Sequence, residues 1–292
     1  MLALSVISGV VAGVIVRRWP HADPAATATA HVGEQLAEQP RIRRFLRTRL
    51  DPQVATGLAL TVMMLAVVIA GTVIGVVVWM VRTKSGVVHF DLRLAEWAAV
   101  HVTGYTDSAM SAITQFGSTP VIVAAALAGA IYGFIRWKAP SVFWFLLIVV
   151  GGQFIALNLI KLAVERARPD IHRLSVFSGS SFPSGHATAT AATFAALALV
   201  IGRGRSPRTR AILAGVAVAI AVAVACSRVL LGVHWFSDVI GGLALGWAWF
   251  AICAVAFGGR LLRFGAPAEI ASEPPGSAPS ARKASSPAAA SR

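Results

Sequence analysis

Ser227-Arg228-Val229-Leu230-Leu231-Gly232-Val233-His234-Trp235-Phe236-Ser237-Asp238 joins two long apolar runs and carries an arginine, a histidine and an aspartate in a chain otherwise poor in charge. Arg228 precedes His234 by six residues, and His234 precedes Asp238 by four. If His234 opens a helix, the i,i+4 spacing puts Asp238 on its face. A carboxylate there can hold one imidazole nitrogen as N–H and leave the other free to attack. Arg228 offers a planar fork of donors suited to phosphate oxygens. Taken alone, a His and an Asp four apart on a helix are usually a surface pair. The weight of the reading rests on what surrounds the stretch.

What surrounds it is apolar. Of 292 residues, 57% are hydrophobic and only 13% charged, against about 25% charged in a soluble domain. Apolar runs at 55–81, 111–135, 140–163, 183–201, 211–231 and 235–258 each approach or exceed the ~20 residues that cross a bilayer. The expected fold is all-α, a polytopic membrane protein with a six-helix transmembrane bundle over 55–260. Residues 1–16 add a short apolar segment, an anchor or a marginal extra span. Arg17 and Arg18 follow that segment, whereas a signal peptide carries its positive charge in front. The rest of the 1–54 extension is polar and basic, and is expected to lie at the cytoplasmic membrane surface. The tail, 261–292, is rich in Ala, Ser and Pro and is expected to be disordered. Residues 82–109, with Asp91, Arg93, Glu96 and Trp97, read as a loop with an interfacial helix.

The net charge of +14 could suggest nucleic acid. The basic residues, however, sit in short clusters between apolar runs, as the membrane surface explains, so no nucleic-acid partner is expected. Segments 17–54, 136–138, 202–210 and the C-terminal tail hold 18 of the 26 Lys and Arg residues. Positive residues favour the cytoplasm. The 164–182 loop, Arg228 and His234 then fall on the outer side. Cys226 and Cys253 lie in apolar runs, read as small buried hydrophobes and report nothing on redox compartment.

Two further stretches fall on that outer side. Lys161 to Pro169 reads Lys-Leu-Ala-Val-Glu-Arg-Ala-Arg-Pro. Lys161 and Arg168 are two helical turns apart and would share a face, with Pro169 ending the helix at Arg168. By itself this is equally a pair of snorkelling side chains at a membrane edge. Ser181 to His186 reads Ser-Phe-Pro-Ser-Gly-His. Pro183 suits a first helical turn, and Ser184 and Gly185 would then present N–H groups at a helix N-terminus, where an anion is favoured. Gly185 has no side chain to block the approach, and His186 stands beside it.

Three such sets on one membrane side read as an anion cradle with two histidines and a carboxylate. That suits phosphoryl transfer, with donors on the equatorial oxygens and a nucleophile and an acid in line. Lys-x6-Arg-Pro, Pro-Ser-Gly-His and Ser-Arg-x5-His-x3-Asp, in this order, resemble the three motifs of the type 2 phosphatidic acid phosphatase family, shared with vanadium haloperoxidases. The resemblance covers roughly 55–260, including the Phe116-Gly117-Ser118 turn. It implies a six-helix membrane phosphatase without metal or other cofactor, acting on lipid phosphates or pyrophosphates. By the match, His234 is the nucleophile, Asp238 its orienter and His186 the acid. Lys161, Arg168, Ser184, Gly185 and Arg228 hold the phosphate.

The expected setting is the plasma membrane, with the site at the outer leaflet. Candidate substrates are polyprenyl pyrophosphate carrier lipids, phosphatidylglycerol phosphate or phosphatidic acid. The Ala- and Arg-rich composition fits a GC-rich bacterial genome and puts a polyprenyl pyrophosphate first. Arg166, Asp170, His172 and Arg173 read as a solvated loop face. His89 and His101 match no motif, His21 and His31 read as surface residues, and Trp97 and Trp235 as interfacial anchors. One rival is a phosphotransferase on the same scaffold that passes the group to an alcohol. Another is a transporter or anion-binding membrane protein, whose spans would carry polar residues near the midplane. Here the charges gather at one end. Oligomeric state is left open by the sequence.

Overall fold

The computed structural model describes residues 5–11, 14, 55–171 and 179–263. Most of the 1–54 extension and of the 261–292 tail therefore lies outside the described residues, as do His172 and Arg173. Among the described residues from 55 onward, eight α-helices follow in order: α1 (Ala55–Arg82), α2 (Val87–His101), α3 (Tyr105–Thr114), α4 (Thr119–Trp137), α5 (Pro140–Val164), α6 (Gly185–Gly202), α7 (Pro207–Leu230) and α8 (Phe236–Arg263). Six of them, all but α2 and α3, are long and apolar enough to cross a membrane. The chain is thus a multi-pass membrane protein, all-helical among the described residues, as its apolar runs require.

The second span begins later than its apolar run suggests. Met110 and Ile113 belong to α3, which ends at Thr114, and a 3-10 turn at Gln115–Gly117 separates it from α4. Met110 packs with Leu231 and Val233, so its apolarity serves the end of the bundle rather than a span. Ser118 and the proline at Thr119-Pro120 then start α4, where a proline costs no helical hydrogen bond.

Helix α6 is the axis. More than half of it is buried (56%), against 11% of the α1 span, and it packs extensively on α7 and α8. The α6–α8 contact is close because α8 presents glycine to backbone: a Cβ on Gly242 would lie 2.7 Å from the Ser184 carbonyl, and one on Gly246 2.5 Å from that of Thr188. Small residues allow such approach where burying apolar surface supplies little drive. Away from the site, Phe145, Leu146, Val149, Ala192, Ala196 and Val200 form a core between α5 and α6. Towards it, Ala187, Ala191, Ala221, Ala225 and Leu243 join α6, α7 and α8. The helical residues 5–11 touch α7, where Ser5 Oγ donates to the Ala219 carbonyl.

The ends of α1, α5 and α7 and the starts of α6 and α8 meet on one side, where α2 and α3 also lie. The Arg136–Lys138 and Arg203–Arg210 turns occupy the other side. Arg203 sits 4.9 Å over the Trp137 ring there.

Candidate active site

Helix α5 stops at Val164 because Glu165 turns left-handed, with φ 47°, and returns its N–H to the Lys161 carbonyl. Arg168 is therefore not on the helix face of Lys161, as its spacing suggests, but in the following loop. It still reaches the site. Its Nη1 donates to the Val233 carbonyl at 2.9 Å and to His234 Nε2 at 3.3 Å, and its Nε donates to the Gly179 carbonyl. Lys161 Nζ donates to the Ser180 carbonyl. The loop is held by Ser181 N–H on the Arg166 carbonyl and by Trp235 Nε1 on the Ala167 carbonyl. Trp235, expected as an interfacial anchor, is thus a strap across the loop.

A second adjustment concerns the starts of α6 and α8. Pro183 stands before α6 instead of in its first turn: Ser184 is the cap position and Gly185 the first helical residue. The Ser184 N–H is already taken by the Asp238 main-chain carbonyl at 3.0 Å, so it cannot serve an anion. The N–H groups of Gly185, His186 and Ala187 precede the first intrahelical bond, and among the described residues none has an acceptor. Ser184 Oγ, fully buried, likewise has no partner. His234, for its part, lies two residues before α8 rather than on it.

A guanidinium can only donate. Its contact therefore makes His234 Nε2 an acceptor, leaving the proton on Nδ1. Nδ1 stands 3.5 Å from Asp238 Oδ2, facing the carboxylate but longer than a formed hydrogen bond. His234 is 3% exposed, and burial pushes its imidazole down to about 4 despite Asp238. A neutral ring with a lone pair on Nε2 is the form that can attack. Arg228, 2% exposed, donates to Thr114 Oγ1 at 3.0 Å. His186 is within electrostatic reach of Arg228, His234, Lys161 and Arg168. Its side chain is seated against Gly117, where a Cβ would come 2.9 Å from His186 Cβ. The structure thus brings Lys161, Arg168, Ser184, Gly185, His186, Arg228, His234 and Asp238 together.

One residue read as solvated belongs here instead. Arg166, its side chain 7% exposed, donates from Nη1 to Asp238 Oδ1 at 2.6 Å and from Nη2 to Asp91 Oδ2 at 2.8 Å. Asp91, on α2, is 1% exposed. It accepts from Ser237 N–H at 2.9 Å and from Ser237 Oγ at 2.5 Å. Asp238 Oδ2 accepts from Ser181 Oγ and from Trp235 N–H. Two signals in the sequence pointed this way. Asp91 is an acidic residue in an amphipathic helix whose neighbours Phe90 and Leu92 are apolar, and Arg166 lies two residues from a cradle arginine. Asp170, by contrast, is exposed as expected.

Beside Lys161 a cavity of about 570 Å³ opens between the end of α5 and the loop, lined by Asn158, Leu162, Glu165, Ser180 and an edge of Arg166. Leu162 is 73% exposed, so the cavity borders the lipid-facing side of α5. Among the described residues, no group of three His, Cys, Asp or Glu could hold a metal ion. Cys226 and Cys253 are free thiols.

A family model, the PAP2 superfamily, matches residues 141–261. Similar curated proteins include a lipid A 1-phosphatase of Rhizobium johnstonii, 32% identical over 169 residues that make up 52% of this chain and 63% of the relative. Phosphatidylglycerophosphatase B of Bacillus subtilis is 32% identical over 162 residues, 53% of this chain and 77% of the relative. A decaprenylphosphoryl-5-phosphoribose phosphatase of Mycobacterium tuberculosis is 40% identical over 121 residues, 39% and 62% of the two chains. The chain thus spans less than two thirds of the length of the lipid A 1-phosphatases it matches, 63% and 41%. Among solved structures, the transmembrane PAP2 type phosphatidylglycerolphosphate phosphatase from Bacillus subtilis superposes with a TM-score of 0.59 at 25% identity, over 65% of this chain and 96% of that one.

Proposed function

The chain belongs to the PAP2 superfamily, and from that premise we propose that it hydrolyses a lipid phosphate or pyrophosphate through a phosphohistidine, without a metal. The observation that carries this reading is the uncapped start of α6, with its unused N–H groups and buried Ser184 Oγ, set among Lys161, Arg168 and Arg228. Three like charges drawn together at the end of an apolar bundle call for an anion with several oxygens. The neutral His234 Nε2 faces the same space.

In the proposed reaction, Arg168 turns its Nη1 from His234 Nε2 to a phosphate oxygen, and the freed Nε2 gives its lone pair to phosphorus as the bond from phosphorus to the leaving oxygen breaks. Asp238 steadies the Nδ1 proton as the ring becomes cationic. His186 gives its proton to the leaving oxygen, which departs as the lipid alcohol or the lipid monophosphate. Water then attacks the phosphohistidine, His186 taking a proton from it, and inorganic phosphate leaves as the His234 lone pair is restored. The three cations and the α6 N–H groups bear the charge on the equatorial oxygens throughout. The cavity at Asn158 and Leu162 suits the first part of the lipid chain.

The relatives act on differently named lipids, so the substrate class proposed is a polyprenyl pyrophosphate, phosphatidylglycerol phosphate or phosphatidic acid, with the first preferred. The plasma membrane and an outer-facing site follow from the distribution of Lys and Arg. Cysteine labelling of intact cells should mark position 178 and spare position 206; the reverse pattern would overturn the sidedness. The function is tested by phosphate release from these three lipids with purified protein in EDTA. Release is expected to persist in chelator and to stop with orthovanadate, a five-coordinate mimic of the transferring phosphorus. Loss in EDTA restored by Mg²⁺ refutes the metal-free reading. A product that forms only with an added alcohol makes the chain a phosphotransferase.

A further inference from the structure

Arg166 and Asp91 touch neither the open start of α6 nor His234, yet both are buried ions. Burying a charge is costly unless it is paired and its remaining bonds are made. Here they form one chain: Asp91 to Arg166 at 2.8 Å, and Arg166 to Asp238 at 2.6 Å. Ser237 fastens the chain from the side, accepting from Arg166 Nη1 at 2.7 Å while its own Oγ and N–H go to Asp91. Every oxygen of Asp91 and Asp238 thus has a donor.

The two arginines of the 164–171 loop bracket His234. Arg168 lies against Nε2, the attacking side. Arg166 lies behind Asp238, on the Nδ1 side. The guanidinium plane suits Arg166 to its place, because one fork spans two carboxylates at once, which a lysine cannot do with the same directions. We propose that Arg166 and Asp91 are positioning residues for the phosphoryl transfer: Asp91, reaching in from α2, aims Arg166, and Arg166 fixes the carboxylate of Asp238 against the His234 ring. The proposal rests on His234 being the nucleophile. It makes α2 a strut of the reaction centre rather than only a helix at the membrane surface.

The test compares full-length protein carrying Asp91→Asn, Arg166→Gln and Arg166→Lys with the wild type, on a lipid phosphate and in acid-quenched single turnovers. Loss of an orienting neighbour typically costs about ten- to a hundredfold. Asp91→Asn and Arg166→Gln should lower kcat and the rate of phosphohistidine formation by that factor, with KM and orthovanadate inhibition within about twofold of wild type. Arg166→Lys, the milder change should Arg166→Gln not fold, keeps the charge and loses the fork, and should lose about fivefold or more. On an Asp238→Asn background, Arg166→Gln should add less than about threefold, because it acts through Asp238. Unchanged kcat in the Arg166 variants, a rise in KM or weaker vanadate inhibition at constant kcat, or a fully multiplicative loss with Asp238→Asn would each overturn the proposal. If the wild type forms no phosphohistidine, the reading of His234 itself falls. If it does and the variants form it equally fast, only the positioning role falls.

Discussion

The starts of α6 and α8 lie side by side, each with a histidine, and they are finished in opposite ways. At α8 the protein supplies its own anions: the Trp235 N–H goes to Asp238 and the Ser237 N–H to Asp91. At α6 the cap residue makes no side-chain bond, and the first N–H groups have no acceptor among the described residues. A helix start carries a partial positive charge and orphan donors. One that is filled can fix a ring; one left open can receive a phosphate. His234 belongs to the filled end and His186 to the open one. In the proposed reaction, the difference separates the ring that must be held in one direction for attack from the ring that stands beside the open end.

The largest test of this contrast exchanges the histidines for alanine on two substrates. His234→Ala should abolish both lipid and p-nitrophenyl phosphate hydrolysis, by ~10⁴-fold or more, because no phosphoenzyme forms. His186→Ala should cost about 10²–10⁴-fold on the lipid, whose alkoxide needs a proton, and far less on the aryl phosphate, which leaves without one. Rates with both substrates decide it, and survival of aryl phosphate turnover in His234→Ala but not in His186→Ala would reverse the two roles. A second variant makes the open end resemble the filled one. Ser184→Asp adds a carboxylate where the phosphate should sit, and should raise KM and the inhibition constant for orthovanadate about tenfold or more. Unchanged values would mean that the anion sits elsewhere.

The smallest effect is in pH. Protonation removes the lone pair on His234 Nε2. An unperturbed histidine would lose it as pH falls through 6.5. Burial holds this ring near 4, so the neutral form persists below pH 6. On p-nitrophenyl phosphate, which leaves without the His186 proton, and corrected for ionisation of the substrate, kcat/KM should stay flat from pH 7 to about 5 and decline only as pH falls through about 4. A decline centred near 6.5 would show that the ring is not sequestered in the free enzyme.

The six spans were legible because twenty apolar residues in a row have few other uses. The boundary of the second span was not, since Met110 is apolar for the sake of Leu231 and Val233, far along the chain. The three motif stretches carried the residues proposed for the site, and the structure brings them near one another. It does so by a different path for Arg168: the helix ends at Glu165, and the loop delivers the guanidinium that the helical spacing was expected to deliver. Arg166 escaped because a charged residue in an outer loop is ordinarily solvated. Its partners Asp91 and Asp238 are 75 and 72 positions away, and only the fold shows that they meet. The Ser184 N–H was misassigned for the same reason, since its acceptor is a main-chain carbonyl of another helix.

The proposed machinery stands on helix ends. Lys161 lies in the last turn of α5 and Arg228 in the last turn of α7, His186 is the second residue of α6, and His234 just precedes α8. The phosphorus would therefore react at the depth where hydrocarbon gives way to head groups, and the lipid would never have to desorb. Taking a chain out of a bilayer costs about 0.8 kcal/mol per methylene, so a dozen methylenes would add roughly 10 kcal/mol to any route through water. Encounter would instead be a two-dimensional event within the leaflet. Turnover would follow the mole fraction of substrate in the membrane, slowing when inert lipid dilutes it at constant bulk concentration.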